Sequence, residues 1–375
     1  MRSEVPIGRR GARYSENLPL LQGQGNKVVK RFPPWASPQD ARDSRFCQVR
    51  QAGTAPNILY EVFTPSPNNQ GKIRARPRPS AFIRVLFPMK CAIREHPCPV
   101  SDIAAALREG AAALAPVTDT PRLEAEVLLA HVTGLTRTAI LAHPERPLSP
   151  DERVRYGELL ARRAAGIPLP YLTGRVEFFG LEFVVTPDVL IPRPETEMLV
   201  ERALDWDPQT VVDVGTGSGC VAVALATRLP RARIYATDLS RAALRVAAEN
   251  ARRHGVADRI HFLQADLASP LRGPVDMLVS NPPYVAEEEW ASLPESVREY
   301  EPRLALDGGP GGLRVVRRLL ADAVRLLRPG GVLLVEIGAG QGPEAAIMAR
   351  AAFPAARVRI HPDLAGRDRV LEVIL

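Results

Sequence analysis

Cysteine is scarce in this sequence. Its four cysteines, Cys47, Cys91, Cys98 and Cys220, show no paired spacing that resembles a zinc site or a disulfide framework. A disulfide-stapled secreted scaffold is therefore excluded, no metal is expected, and a reducing compartment, the cytoplasm, fits best. Long apolar runs are missing as well. No stretch approaches the roughly 18 to 20 uninterrupted apolar residues that a membrane-spanning helix needs, and no apolar segment behind a charged start marks a secretory signal. Lysine is nearly absent: Lys27, Lys30, Lys72 and Lys90 are the only four, and beyond Lys90 arginine replaces it throughout.

What is present is the balance of a folded chain. Of 375 residues, 46% are apolar and 24% charged, and the length accommodates two domains and a tail. The formal charge of +7 is unevenly spread. Residues 1 to 88 hold 15 Lys+Arg against 5 Asp+Glu, whereas the rest hold 34 against 37, a net of −3. An overall basic character thus gives no nucleic-acid footprint for the folded part. Residues 1–88 are rich in Pro, Arg and Gly and lack periodicity, which predicts disorder. Two readings stand: a tail or mis-assigned upstream sequence with Met89 as the true start, or an Arg-rich targeting segment.

From Ser101 the pattern becomes helical. Ile103, Leu107 and Leu114 share a face behind Ser101-Asp102; Pro121 opens a helix with Leu123, Val127, Leu128 and Ala130; Ser149-Pro150-Asp151 begins another that ends near Gly166. This predicts a small helical domain over 89–170. Residues 171–190, with Phe178-Phe179-Gly180-Leu181, read as a hairpin linker. After a helix near Pro194, buried strands recur at 211–214, 234–237, 260–263, 277–280, 332–337, 358–360 and 370–374, with helical segments between the first five. That repetition predicts, over 191–375, a Rossmann-like, seven-stranded doubly wound α/β sheet, with one of the last two strands antiparallel.

Asp213-Val214-Gly215-Thr216-Gly217-Ser218-Gly219 follows the first of these strands and opens a helix, where such a sheet binds a nucleotide-like ligand. Its Gly-x-Gly-x-Gly spacing departs from the dinucleotide fingerprint, which weakens a dehydrogenase reading. Asp238 ends the second strand, where a carboxylate can accept from both ribose hydroxyls. Asp266 and Leu267, after the third, are placed for an adenine edge and ring face. The fourth strand ends in Asn281-Pro282-Pro283-Tyr284, a turn stiffened by two prolines. The Asn281 oxygen and the Pro282 carbonyl can accept both N–H bonds of a planar NH₂ group, with Tyr284 against its face. The lone pair of such a nitrogen is delocalised, so positioning must do most of the work, and no strong base is required.

At these residues the chain resembles the peptide chain release factor glutamine methyltransferase family, also called HemK or PrmC. The likeness spans about 100–375 and includes Glu124 to Leu129, Tyr171 to Gly174, Glu177-Phe178, Leu190 to Glu197, the Gly loop, Asn281 to Tyr284, and Glu301-Pro302 with Ala305-Leu306. It implies a class I, S-adenosylmethionine-dependent enzyme that methylates the glutamine nitrogen in the Gly-Gly-Gln loop of release factors. By that resemblance Gly215, Thr216, Gly217, Ser218, Gly219, Asp238, Asp266, Leu267, Asn281 and Arg193 contact the cofactor. Asn281, Pro282, Pro283 and Tyr284 hold the glutamine, with Asn281, Pro282 and Tyr284 catalytic, and Phe178 lines the same pocket. The helical domain becomes a release-factor docking module on a monomer that needs neither nucleic acid nor membrane. Two departures stand out: Leu267 where some members carry an aromatic, and Gly311 at a position often acidic.

The nearest rival is an amino methyltransferase acting on adenine or guanine in DNA or RNA, since the same four residues suit an exocyclic amine. Glu287-Glu288-Glu289 after the motif and the acidic folded part argue against it. A non-catalytic binding protein on the same fold is the other, opposed by the intact motifs.

Overall fold

The computed structural model describes residues 102–375. The expectations for 1–88, for a start at Met89 and for the first residues of the helical domain lie outside the described residues.

Five helices come first. α1 (Ile103–Leu114) starts where the Asp102 carboxylate accepts from the Ala105 N–H at 2.7 Å. α2 (Pro121–Thr133) has Pro at its first position and ends on left-handed Gly134. After α3 (Arg137–Ala142), α4 (Pro150–Ala164) opens with a full capping box between Ser149 and Glu152, and α5 (Leu169–Thr173) closes the set. Ile103, Leu107, Leu114, Leu128, Leu129 and Ile140 form its dry core. Leu123, one of the apolar residues of α2, is exposed, and Glu124 and Glu126 are turned inward. Arginines explain the exchange: Arg163 pairs with Glu124, while Arg122 and Arg137 both hold Glu126. Hydropathy alone cannot anticipate neutralisation by a residue on another helix.

Gly110 of α1 allows α4 to approach. A Cβ there would stand 2.2 Å from the Tyr156 hydroxyl, which donates to the Ala125 carbonyl. Gly110→Ala should therefore lower stability by about 1–2 kcal/mol despite the better helix propensity of Ala, since overpacking costs roughly 1–3 kcal/mol. Denaturant unfolding checks this; a stabilised variant would show that the contact yields freely.

β1 (Arg175–Phe178) and β2 (Leu181–Val184) pair antiparallel around Phe179-Gly180, both left-handed. A 3₁₀ turn at 194–196 runs into α6 (Glu197–Leu204). The main domain then follows as β3 (Thr210–Val214), α7 (Cys220–Arg228), β4 (Arg233–Asp238), α8 (Arg241–Arg253), β5 (Ile260–Gln264) and β6 (Val275–Ser280). Its second half contains β7 (Val285–Ala286), α9 (Glu295–Tyr300), β8 (Asp307–Gly309), α10 (Arg314–Leu326), β9 (Leu327–Glu336), α11 (Gly342–Ala352), β10 (Arg357–Pro362) and β11 (Asp368–Ile374).

Seven strands make one sheet in the order β10-β11-β9-β6-β3-β4-β5. β3 to β6 and β9 are mutually parallel, and β11 runs antiparallel to both of its neighbours. The final antiparallel strand is thus β11, inserted beside β9. Apolar side chains pack on both faces, around Leu225, Ile234 and Met277 on one and Val212, Leu278 and Leu319 on the other. The chain reaches the edge at β5 and returns to β6 on the far side of β3, so the strand order reverses at the carboxyl end of β3.

Candidate active site

A cavity of about 360 Å³ opens at that reversal, within the range of ligand pockets. β3 delivers the Gly loop. The Gly215 and Thr216 N–H groups both donate to the Thr237 carbonyl of β4, at 2.8 and 2.9 Å. Gly215, Gly217 and Gly219 all have positive φ, and a Cβ on Gly219 would meet Ala247 of α8 at 2.9 Å, so this loop folds only with glycine there. Asn250, fully buried on α8, donates to the Ser218 carbonyl and exchanges two hydrogen bonds with Val184, tying the loop to the hairpin. The loop ends at the N-terminus of α7, which carries no side-chain cap.

Three carboxylates stand at successive strand ends. Asp238 of β4 accepts from the Gly217 N–H (2.9 Å) and the Ser240 N–H (2.8 Å), and burial raises its pKa. Asp266, after β5, pairs with Arg318 of α10 at 2.7 Å. Leu267 beside it holds a left-handed φ of 51°, a strained conformation for a non-glycine residue. Asp213, one residue before the end of β3, is 1% exposed, and burial pushes its carboxyl up to about 7. Thr216 Oγ1 donates to it at 2.6 Å, and among the described residues no basic side chain pairs with it.

Arg193, Gly215, Thr216, Gly217, Ser218 and Asp238 line the cavity, as do Asp266, Leu267, Asn281 and Pro283. The Arg193 guanidinium is paired with buried Glu301, which also accepts from the Ile191 N–H. Asn281, just past β6, donates through Nδ2 to Thr196 Oγ1 at 3.0 Å. Four expected residues do not line the cavity. Phe178 is 1% exposed and packs edge-on against Phe183, because strand alternation turns it into the sheet core. Gly219 faces Ala247. Pro282 is buried, and the Tyr284 ring is off the cavity wall. The Tyr284 carbonyl accepts from Gln341 Nε2, while its hydroxyl faces Glu336, and burial pushes its pKa up to about 12.

Sequence reasoning missed Asp213, Thr196, Arg318 and Glu336. Asp213 carried a signal, a carboxylate ending an apolar strand ahead of a Gly loop, and so did Glu336, a lone acid closing the run from Val332. Thr196 and Arg318 had none, since their partners are remote in sequence. Glu336 is 1% exposed and held up to about 7 by burial. Because its folded value lies above its ordinary 4.5, its contribution to stability is complete below about pH 4.5 and is lost as pH rises through 7. Glu336→Gln should therefore gain, relative to the parent, about 2–3 kcal/mol between pH 4.5 and pH 8. Urea unfolding at the two pH values measures it, and a pH-independent difference would refute it.

A seven-stranded sheet with one antiparallel strand beside β9, a Gly loop after β3 and a carboxylate closing β4 define the fold of a class I methyltransferase. Residues 105–174 match the PrmC N-terminal domain, and residues 194–299 the methyltransferase small domain. The release factor glutamine methyltransferase of Moorella thermoacetica is 54% identical over 66% of this chain and 89% of its own length. That of Nitratidesulfovibrio vulgaris is 44% identical over 68% and 88%, and that of Chlorobaculum tepidum 44% over 68% and 90%. The chain belongs to the release factor glutamine methyltransferase family.

Proposed function

We propose that this chain transfers a methyl group from S-adenosylmethionine to the side-chain amide nitrogen of the glutamine in the Gly-Gly-Gln loop of peptide chain release factors. Family membership supports the activity; the observation that carries the site is Asn281 on the wall of the cavity that Asp213, Asp238 and Asp266 also line, its amino end tied to Thr196. The residues present fit the cofactor. Buried Asp213, without a cationic partner among the described residues, suits a positively charged methionyl group; Asp238 can receive ribose hydroxyls; Asp266 and Leu267 offer an acceptor and an apolar surface to adenine.

When bound, S-adenosylmethionine supplies an electrophilic methyl group on a sulfonium. The chain's own residues position the nucleophile. The Asn281 oxygen, on the cavity wall, accepts one N–H bond of the glutamine amide, and the carbonyl of Pro282, which sits behind that wall, is assigned the other, so that the nitrogen is aimed at the methyl group. The amide proton would become acidic as the nitrogen is alkylated, so these residues need only hold the nitrogen and release that proton to solvent, with no strong base among them. Both acceptors strengthen as positive charge develops on the nitrogen, which selects for the transition state. Arg193 and Glu301 hold the 191–196 segment against this wall.

Residues 89–170 serve as the release-factor docking domain, 171–190 as the linker and 191–375 as the catalytic domain. Exposed Leu141 and Val154 on the helical part give a partner apolar surface. The enzyme acts as a cytoplasmic monomer without direct need of nucleic acid. Exposed Glu287, Glu288 and Glu289 beside the motif support a protein over a polyanionic partner.

Methyl-labelled S-adenosylmethionine, supplied with release factor or with duplex DNA, tests the reading by mass spectrometry. Label on the Gly-Gly-Gln glutamine is the expected result; label on DNA alone, or on neither, would overturn it.

A further inference from the structure

Behind Asn281 lies a buried polar group that the reaction as described leaves unused. The register sets Ser280 of β6 opposite Val335 of β9, so Asn281 and Glu336 leave neighbouring strand ends together. Glu336 is 1% exposed, and among the described residues neither of its carboxylate oxygens makes a hydrogen bond of normal geometry. The hydroxyls of Thr196 and Tyr284 are its polar neighbours, with the Arg369 guanidinium from β11. A carboxylate is costly to bury without partners, and here two hydroxyls stand ready to donate to it.

The two ends of a carboxamide are almost equal in shape and opposite in hydrogen-bond sense. For an amide NH₂ to be received, the oxygen of Asn281 must face the cavity and its nitrogen must face away. The nitrogen does donate to Thr196 Oγ1, at 3.0 Å. Yet a hydroxyl both accepts and donates. A Thr196 hydroxyl free to rotate could equally donate to a flipped Asn281 oxygen, leaving two N–H donors to confront the two of the substrate. Selection therefore needs an acceptor that engages the Thr196 hydrogen, and an ionised carboxylate accepts only.

We infer that Glu336 is a positioning residue: its carboxylate takes the hydroxyl hydrogens of Thr196 and Tyr284, commits Thr196 to accept from Asn281, and so turns the Asn281 oxygen toward the substrate amide. The inference deepens the methyl-transfer reading and rests on it. Protonation of Glu336 undoes the arrangement, because a carboxylic O–H can donate to Thr196 Oγ1 and release the Thr196 hydrogen toward Asn281. Burial holds the Glu336 carboxyl up to about 7; Arg369 pulls it down and Glu195, on the 194–196 turn, pushes it up. Tyr284 and buried Cys220, both pushed up to about 12 by burial, stay neutral across that range. Turnover should accordingly fall as pH drops below about 7.

The test uses the full chain, S-adenosylmethionine and a release factor carrying Gly-Gly-Gln, with kcat measured from pH 6 to 8.5 and cofactor affinity by calorimetry. A neutral amide at 336 can donate to Thr196, so Glu336→Gln should lower kcat about 100-fold at pH 8 and abolish the acid limb, while cofactor affinity stays within a few fold. Thr196→Val should lose as much, Thr196→Ser should recover most of it, and the Thr196→Val/Glu336→Gln double variant should be no worse than Thr196→Val alone. Parental kcat and an unchanged acid limb in Glu336→Gln would overturn the inference, as would a Thr196→Val variant as active as Thr196→Ser, even if Glu336→Gln failed to fold. A parent chain that binds cofactor but leaves the release factor unlabelled would overturn the methyl-transfer reading and this inference with it. An active parent with indifferent variants would overturn the inference alone.

Discussion

Asn281→Ala is expected to lower turnover about 1000-fold while cofactor affinity remains within a few fold of the parent. In the proposed reaction Asn281 acts on the nucleophile. Its oxygen is proposed as one of two acceptors that hold the amide in line, and a preorganised group of this kind contributes roughly 100- to 1000-fold in rate. Removing it leaves the Pro282 carbonyl, which can polarise one N–H but cannot fix the plane. The proposed cofactor contacts lie elsewhere, on the loop after β3 and at the ends of β4 and β5, and that loop is held by Thr237 and Asn250 rather than by Asn281. Turnover and calorimetry on the same preparation separate the two effects. Turnover within tenfold of the parent would remove Asn281 from the reaction, and a matching collapse of affinity would place it in the cofactor site.

Asp213→Asn should act in the opposite sense, weakening S-adenosylmethionine about 100-fold. Truncating one partner of a buried, hydrogen-bonded charge pair costs about 2–5 kcal/mol, and Asp213 is the buried carboxylate of this cavity without a basic partner among the described residues. Burial holds its carboxyl up to about 7, so near neutral pH it is partly protonated before a cation arrives. The positive ligand favours the ionised form. Binding at about pH 6.5 should thus release up to roughly three quarters of a proton, and affinity should rise as pH increases through 7. Calorimetry in buffers of different ionisation enthalpy counts the proton, and the Asp213→Asn variant should release none from this position. Equal proton release by parent and variant would assign the titration to Asp238, which is also raised by burial.

Both residues were visible in the sequence, but to different degrees. Asn281 announced itself because two prolines leave the backbone little choice and because the motif ends a buried strand. Asp213 was in plain view at the head of the Gly loop but read as part of a turn, since nothing in one sequence tells a strand-end carboxylate aimed at a ligand from one aimed at solvent. Phe178 failed for a related reason. An aromatic in a short hairpin looks the same whether alternation points it at a cavity or at the core, and here it points at Phe183. Leu123 went outward because Glu124 and Glu126 went inward, neutralised by Arg163, Arg122 and Arg137. Three arginines at sequence separations from 4 to 39 are invisible to a hydropathy period.

By itself the sequence determined what depends on neighbours along the chain. Helix starts at Asp102, Pro121 and Ser149, the seven apolar strands and the Gly and Asn-Pro-Pro-Tyr turns are set by local backbone chemistry and periodicity, and each formed where expected. The tertiary structure alone decided which of the last strands reverses, that the Asp266 carboxylate meets Arg318, and that Thr196, Tyr284 and Glu336 gather behind Asn281. Those facts depend on sheet register and on side chains brought together from 50 to 140 positions apart, and burial then sets the charge of the groups that meet. Local patterning carries no record of that.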